Sequence, residues 1–512
     1  MKHFDAIVIG AGNAGLTAAT ALQRGGSNTL LLERHNIPGG CATSFVRGDY
    51  EFEVALHQLS GLGTEKRPFI MRKIFADLGV MDKVEFVQEG ELYRIVVPGE
   101  IDTTLPASWT GLRKKLQSDF PAESDSLERF MTLCEKITLE SFMMLPKARK
   151  SNNEDMLKAS CPYYVKYGMR STKFVLDEFF ENQELKTILA AYWCYIGVPP
   201  KDIPFPDLAM MIYAYAAFKP WHIKGGSQAM SSALLESFLE AGGDVRFNCG
   251  AEKILTNGDV VRGVVTEEGE EIACSAVVSN ASSIITYNEL LDHDKPPVQI
   301  SEDFKSRRMG TSAFVIYMGL DCTPEELGVT SASNFICNSQ DEDLVHEGMS
   351  TLNEPVAGML TCYNFDDPSF APEGKSVVSL VCLQYGDLWK DISEENYAKM
   401  KYAFAEKLMD VVAQVFPKIR DHIEEVEVAT PLTMMRYLNT PDGAIYGFKQ
   451  NPQDSELFRE RLDAIEGLYM AGCWNNMGGF QPTYMAGEST ARAVIKRLKS
   501  NGLMSKKEPQ HA

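Results

Sequence analysis

The sequence predicts an α/β fold: a Rossmann-type domain assembled from three separated blocks, with a β-meander, and an inserted α+β unit between the blocks. Three observations predict it. The short apolar run Phe4–Ile9 is followed at once by glycines at 10, 12 and 15. Gly225-Gly226-Ser227 opens an amphipathic segment that leads into several short alternating runs. Near the other end, Leu468–Ala471 is again short and apolar, and Gly472 stops it ahead of an Ala- and Gly-bearing helical pattern.

Phe4–Ile9 has the length and composition of a buried parallel strand. Gly10 permits a tight turn, Gly12 a close approach of a pyrophosphate, and Gly15 close packing of helix on strand. Asn13 and Ala14 lie within that loop, and Leu16–Gln23 continues it as a helix whose N-terminus offers unpaired N–H groups to phosphates. Thr29–Leu32 is a second apolar strand, ending at Glu33-Arg34. Glu33, about twenty residues after the glycines, is placed to accept ribose hydroxyls, and an acid there argues against a 2′-phosphate. Gly39-Gly40, followed by Cys41, allows a second close backbone approach. This arrangement resembles FAD-dependent oxidoreductases, in which a double glycine passes the flavin half of the cofactor. The expected cofactor is therefore FAD, bound non-covalently, rather than NAD or NADP.

The blocks are residues 1–62, 220–290 and 462–500; the inserted unit is 63–219 with 291–461, and 501–512 is a flexible polar tail. Residues 63–219 read as mainly helical, with Leu92–Val97 as a strand. Within them Leu208–Phe218 is an uncharged run, too short to span a membrane, that predicts a buried helix or a cavity wall. In 291–461, Ser312–Leu320, Ala357–Tyr363, Ser376–Gln384 and Ile423–Ala429 read as strands and Glu394–Val415 as an amphipathic helix. Such a sheet, covered by helices on one side, would form a substrate cavity.

In the second block a helix runs from Gly225 to about Ala241 and Gly242-Gly243 closes it. Val245–Asn248 is a short strand, with Val245 to Gly250 as the backbone expected to pass the adenine. Glu252–Leu255, Val260–Thr266 and Glu271–Cys274 form the meander, and Ala276–Ser279 returns as a parallel strand. In the third block Gly472 ends a strand, Gly478 and Gly479 turn the chain, and a helix from about Pro482 to Leu498, with Thr483 in its first turn, aims its positive end at the cofactor.

Apolar residues are 45% and charged residues 23%, ordinary for a globular protein. A net charge of −20 disfavours nucleic acid and an anionic membrane as electrostatic partners, but leaves hydrophobic, peripheral membrane contact open. Eleven cysteines without a C-x-x-C pair suit reduced thiols in a cytoplasm and no metal site. The N-terminus carries no signal-peptide pattern. A second G-x-G-x-x-G for a nicotinamide cofactor is lacking, so the electron donor or acceptor is open.

Five stretches then carry a wider resemblance: IGAGNAGL to LLER, GGCATSFVRGDYEFEVALH, IKGGSQAMSSALLESFLEAGG, TPDGAIYGF and GLYMAGCWNNMGGFQPTYMAGESTA. Together they resemble the phytoene desaturase, carotenoid isomerase and retinol saturase family of flavoproteins. Glu53-Val54-Ala55 stands where that family usually has Asp-x-Gly, and Cys473-Trp474-Asn475-Asn476 departs from the desaturase pattern. His57 falls where retinol saturase-like members carry a histidine. The resemblance implies redox chemistry at carbon–carbon double bonds of a large apolar substrate, as saturase or desaturase. A non-redox polyene isomerase is the alternative, and a flavin-bound protein without turnover is the third. His57 is either a proton donor or orienting group near the flavin or a structural histidine, with Tyr437, Tyr446 and Tyr484 as rival donors.

Overall fold

The computed structural model describes residues 3–151, 153–293, 295–454 and 464–505. Residues 455–463, at the join of the inserted unit and the third block, and 506–512 of the tail lie outside that set.

The three blocks meet in one parallel sheet. Its strand order is Asp244–Arg246, Thr29–Leu32, Ala6–Ile9, Val277–Ser279, Leu468–Met470. Every residue of the Ala6–Ile9 strand is buried, which is why it reads as a continuous apolar run and not as an alternation. Helices Asn13–Arg24 and Phe480–Ser500, from opposite ends of the chain, pack on each other through Gly487, where a Cβ would lie 2.3 Å from the Ala14 carbonyl. The expected strand Phe4–Ile9 is two strands. His3–Phe4 pairs with Glu271–Cys274 of the meander, while Ala6–Ile9 enters the parallel sheet. The buried Asp5 between them accepts from Asn28 N at 2.9 Å, and from Ser505 N and Oγ at 2.9 and 2.5 Å. Residues 501–505 are thus tied to the domain, and the expected tail does not begin at 501.

A seven-stranded sheet joins both inserted segments. Its order is Ile423–Ala429, Ser312–Leu320, Ser376–Gln384, Ala357–Cys362, Ser333–Cys337, Glu91–Val97, Ile101–Pro106. Ser333–Cys337 runs parallel to Glu91–Val97, with Asn334 opposite Arg94, and this pairing links the two segments. Neither Ser333–Cys337 nor Ile101–Pro106 stands out in the sequence: one is five residues long, and the other carries Asp102, Thr103 and Thr104. On one face Phe314, Ile316, Met318 and Leu380 meet Phe404, Leu408 and Val412 of the helix Glu394–Ala413. That cover leaves the opposite face for the cavity.

A buried carboxylate ties the first two blocks together. Glu53 ends the hairpin Ser44–Arg47/Tyr50–Glu53 and accepts from Ser227 N and Ser227 Oγ, both at 2.6 Å, and from Ala55 N and Leu56 N at 3.2 and 3.1 Å. It therefore occupies the N-terminus of the helix Gly226–Glu240, a natural seat for an anion. Burial raises its pKa, and the Ser227, Leu56 and Ala55 donors oppose that rise. Among the described residues, no helix is long and apolar enough to cross a membrane.

Candidate active site

Between the two sheets lies a cavity of about 460 Å³ lined by residues of all three blocks and of both inserted segments. On the parallel-sheet side its wall is rich in glycine: Gly10, Gly12, Gly39, Gly40, Gly250, Gly472, Gly478 and Gly479 all line it. Gly10 takes φ +91°, and a Cβ at Gly15 would fall 1.9 Å from the Gly10 carbonyl. The glycine loop is thus folded onto itself, leaving Gly10, Gly12, Asn13 and Ala14 on the cavity wall and Gly15 behind them. At Gly12 a Cβ would come within 2.7 Å of Asn280 Nδ2, so a larger residue there displaces the wall. Gly39 N donates to Ala11 O at 2.8 Å and Gly39 bridges to Gly12, which lays the double glycine along the first loop.

Glu33 is buried at the end of its strand. Its Oε2 accepts from Ala11 N at 2.7 Å and its Oε1 from His35 N at 2.8 Å. Each oxygen keeps a lone pair for a further donor. Arg34, beside it, is exposed at the cavity edge. Two uncapped helix N-termini open on the cavity. Neither Gly12, before Asn13–Arg24, nor Gly479, before Phe480–Ser500, supplies a side-chain cap. Asn13 Oδ1 is buried there with no hydrogen-bond partner among the described residues. Unpaired N–H groups, a folded glycine loop and an acid at the strand end fit the pyrophosphate and ribose of FAD.

Gly40, Cys41, Gly472, Gly479 and Thr483 also line the cavity, and the Thr483 hydroxyl donates to Gly479 O at 2.8 Å. Val245 does not. Its strand ends at Arg246, Asn248 turns at φ +50°, and Gly250, Ala251 and Glu267 form the wall instead. Within the expected backbone stretch, the cavity contact thus falls on Gly250 rather than Val245. Asn280, Ala281 and Ser282 were not anticipated. Their signal was positional: a polar run directly after the parallel strand Val277–Ser279, where α/β sheets bind ligands.

The opposite wall consists of side chains. Ala313 faces Leu383 across the strands, and Val381 faces both Val315 and Met359. These five line the cavity as one uncharged patch of the seven-stranded sheet. One face of the helix Phe205–Phe218 closes the slot with Met210, Met211, Ala214 and Tyr215, so the uncharged run Leu208–Phe218 is at once a buried helix and a cavity wall.

His57 lines the cavity between the two walls. Its Nδ1 lies 2.6 Å from Thr361 Oγ1, and its ring stacks on Tyr195 at 6.0 Å and 12°. With the Thr361 hydroxyl donating, the ring proton stands on Nε2. Burial holds the imidazole down at about 4, so it is neutral near pH 7. Of the rival tyrosines, Tyr446 and Tyr437 both line the cavity. Tyr437 is exposed and stacks on His35 at the edge. Tyr484 is buried outside the lining, against Phe75. Tyr195 and Tyr215, which sequence reasoning missed, join Tyr446 on the wall, and burial raises all three phenols and keeps them protonated.

Comparison with known proteins agrees with this geometry. All-trans-retinol 13,14-reductase of Danio rerio is 27% identical over 96% of this chain and 86% of its own length. Prolycopene isomerase of Daucus carota is 24% identical over 93% and 78%, and phytoene desaturase (lycopene-forming) of Pantoea ananas 24% over 96% and 99%. An oxidoreductase structure from Methanosarcina mazei superposes with a TM-score of 0.62 at 15% identity, covering 98% of this chain and all of that one, and shares the fold. A family model described as flavin containing amine oxidoreductase matches residues 13–495, from the first helix of the glycine loop into the last helix of the sheet. The chain belongs to the flavin-containing amine oxidoreductase family, and its cofactor is FAD.

Proposed function

We propose that this chain is an FAD-dependent oxidoreductase acting on a carbon–carbon double bond of a large apolar substrate, isoprenoid, retinoid- or carotenoid-like, or fatty acyl. The observation that carries the reading is the uncharged patch Ala313, Val315, Met359, Val381 and Leu383, facing a backbone cradle suited to a flavin dinucleotide. A dry apolar slot orients a polyene by exclusion of water and needs few polar contacts. The relatives named as retinol reductase, phytoene desaturase and prolycopene isomerase support the same substrate class.

When bound, FAD supplies hydride exchange at its ring. Saturating a double bond also requires a proton at the second carbon, and His57 and the protonated phenols of Tyr195, Tyr215 and Tyr446 are the cavity groups that carry one. Burial pushes the Cys41 and Cys473 thiols up to about 12, which keeps both protonated near pH 7. The likeness to a prolycopene isomerase favours a second reading, isomerisation without net redox change. Anaerobic reaction of the reduced and the oxidised holoenzyme with retinoid, carotenoid and fatty acyl substrates separates the two. Flavin oxidation with loss of a double bond marks a saturase, flavin reduction a desaturase, and a cis–trans change with a static flavin spectrum an isomerase. Turnover of polar amines with no response to any apolar compound refutes the proposal.

Peripheral membrane contact belongs to the same reading. Next to the cavity-lining Phe142, Met143 and Met144 are exposed, as are Tyr163, Val165, Met169 and Phe174. Residues 143–174 carry seven Lys and Arg against two acids, opposite in sign to the chain as a whole. Apolar side chains among basic ones suit an anionic lipid surface. Flotation with anionic but not with neutral vesicles is expected; flotation with neither refutes the contact.

A further inference from the structure

The helix Phe205–Phe218 presents Asp207, Met210, Met211, Ala214 and Tyr215 to the cavity, one helical face at spacings i, i+3, i+4, i+7 and i+8. Asp207 is the one carboxyl on that face, and it is only 5% exposed. The other buried acids have donors: Asp5 has Asn28 and Ser505, Glu33 has Ala11 and His35, Glu53 has Ser227, Glu89 has Gln58, Glu140 has Tyr163 and Tyr164, Asp367 has Ser369, and Asp454 has Arg308. Among the described residues no donor reaches the Asp207 carboxyl; desolvation alone raises it, to about 7.

Nor is this carboxyl a helix cap. Phe205 N donates to Arg170 O at 2.8 Å and Asp207 N to Pro204 O at 3.0 Å, so those N–H groups are taken. A buried carboxyl facing an apolar slot without a partner is costly to keep, and a polar group on the ligand would satisfy it. The far end of the same helix locates it. Tyr215 donates to the carbonyl of Gln58, next to His57, at 3.4 Å. Asp207 stands eight residues earlier, about 12 Å along the axis at 1.5 Å per residue.

We propose that Asp207 is a specificity-determining residue: it hydrogen-bonds an oxygen-bearing group, hydroxyl or carbonyl, of the apolar substrate, about 12 Å from the end of the slot that holds His57. The proposal rests on the apolar-substrate reading above. It narrows the class to chains carrying a polar group remote from the reacting bond. A neutral oxygen suits the site better than an amine, because Met210, Met211 and Ala214 on the same helix face carry no charge and no acceptor for a cation's remaining N–H groups.

The test uses FAD-loaded enzyme and three polyenes of equal length, a hydrocarbon, one bearing a terminal hydroxyl and one bearing a terminal amine, with binding read from the perturbed flavin spectrum. The wild type is expected to bind the hydroxylated chain about tenfold more tightly. Asp207→Leu should abolish that preference while still binding the hydrocarbon, and the near-isosteric Asp207→Asn should retain part of it. Equal affinities in the wild type, or a preference that survives in Asp207→Leu, overturn the proposal alone. A tenfold preference for a terminal amine also overturns it. Holoenzyme that binds none of the three polyenes overturns the apolar-substrate reading, and this proposal with it.

Discussion

The two walls of the cavity are made of different material. The cofactor wall is built around glycines: the glycine loop, the double glycine, two uncapped helix N-termini and one acid at a strand end. The substrate wall is made of side chains on sheet and helix faces. A glycine-built wall tolerates few residue types, because a Cβ at Gly12, Gly39 or Gly472 would meet a neighbour within 3 Å. A side-chain wall tolerates many, because volume and polarity can be exchanged among neighbours. Cofactor recognition therefore leaves a local mark in the sequence, and substrate recognition leaves a diffuse one.

The largest effect that would test this contrast is Gly12→Val. It should abolish FAD binding, because its Cβ would collide with Asn280 and narrow the pyrophosphate path. A yellow, fully loaded Gly12→Val protein would falsify the assignment of that loop. Next in size is His57→Gln, at the meeting of the walls. It should keep FAD but slow the anaerobic half-reaction with substrate about 10²-fold, the low end for a lost general acid. An unchanged rate with an unchanged flavin spectrum would return His57 to a structural role. The wild-type pH profile sharpens the same point. With its pKa held down near 4, the ring is neutral above that value, so no histidine inflection at about 6.5 is expected in the half-reaction rate. An inflection there that disappears in His57→Gln would contradict the burial argument. The smallest effect is expected from Val315→Phe on the substrate wall. FAD loading should be intact, with substrate affinity lowered about tenfold, the equivalent of about 1–2 kcal/mol of overpacking. Loss of FAD in this variant would mean that the two walls are not separable.

Much of the fold was readable in the residues. The strands Ser312–Leu320 and Ser376–Gln384 have the bounds expected of them, because both are uncharged runs dominated by β-branched, aromatic and other apolar residues. Thr29–Leu32 and the glycine loop were equally plain, since the steric needs of a dinucleotide act within about thirty residues of chain. Ile101–Pro106 was missed because its partner across the hairpin, and not its own composition, makes it a strand. The split of Phe4–Ile9 was hidden for a similar reason. Asp5 is anchored by Asn28 and Ser505, and the latter lies 500 residues away in sequence.

At the site, the local sequence was sufficient to imply FAD, a neighbouring apolar sheet and a histidine after the double glycine. Long-range packing alone brought Thr361 to His57, Asn280 to Gly12, and Glu53 to Ser227. It also placed Gly250 rather than Val245 on the wall, and left Asp207 facing the slot without a donor among the described residues. Backbone sterics and strand hydrophobicity act between near neighbours and can be read in order along the chain. Hydrogen-bond satisfaction and cavity lining depend on which distant segments meet, and that is set only when the whole core has closed.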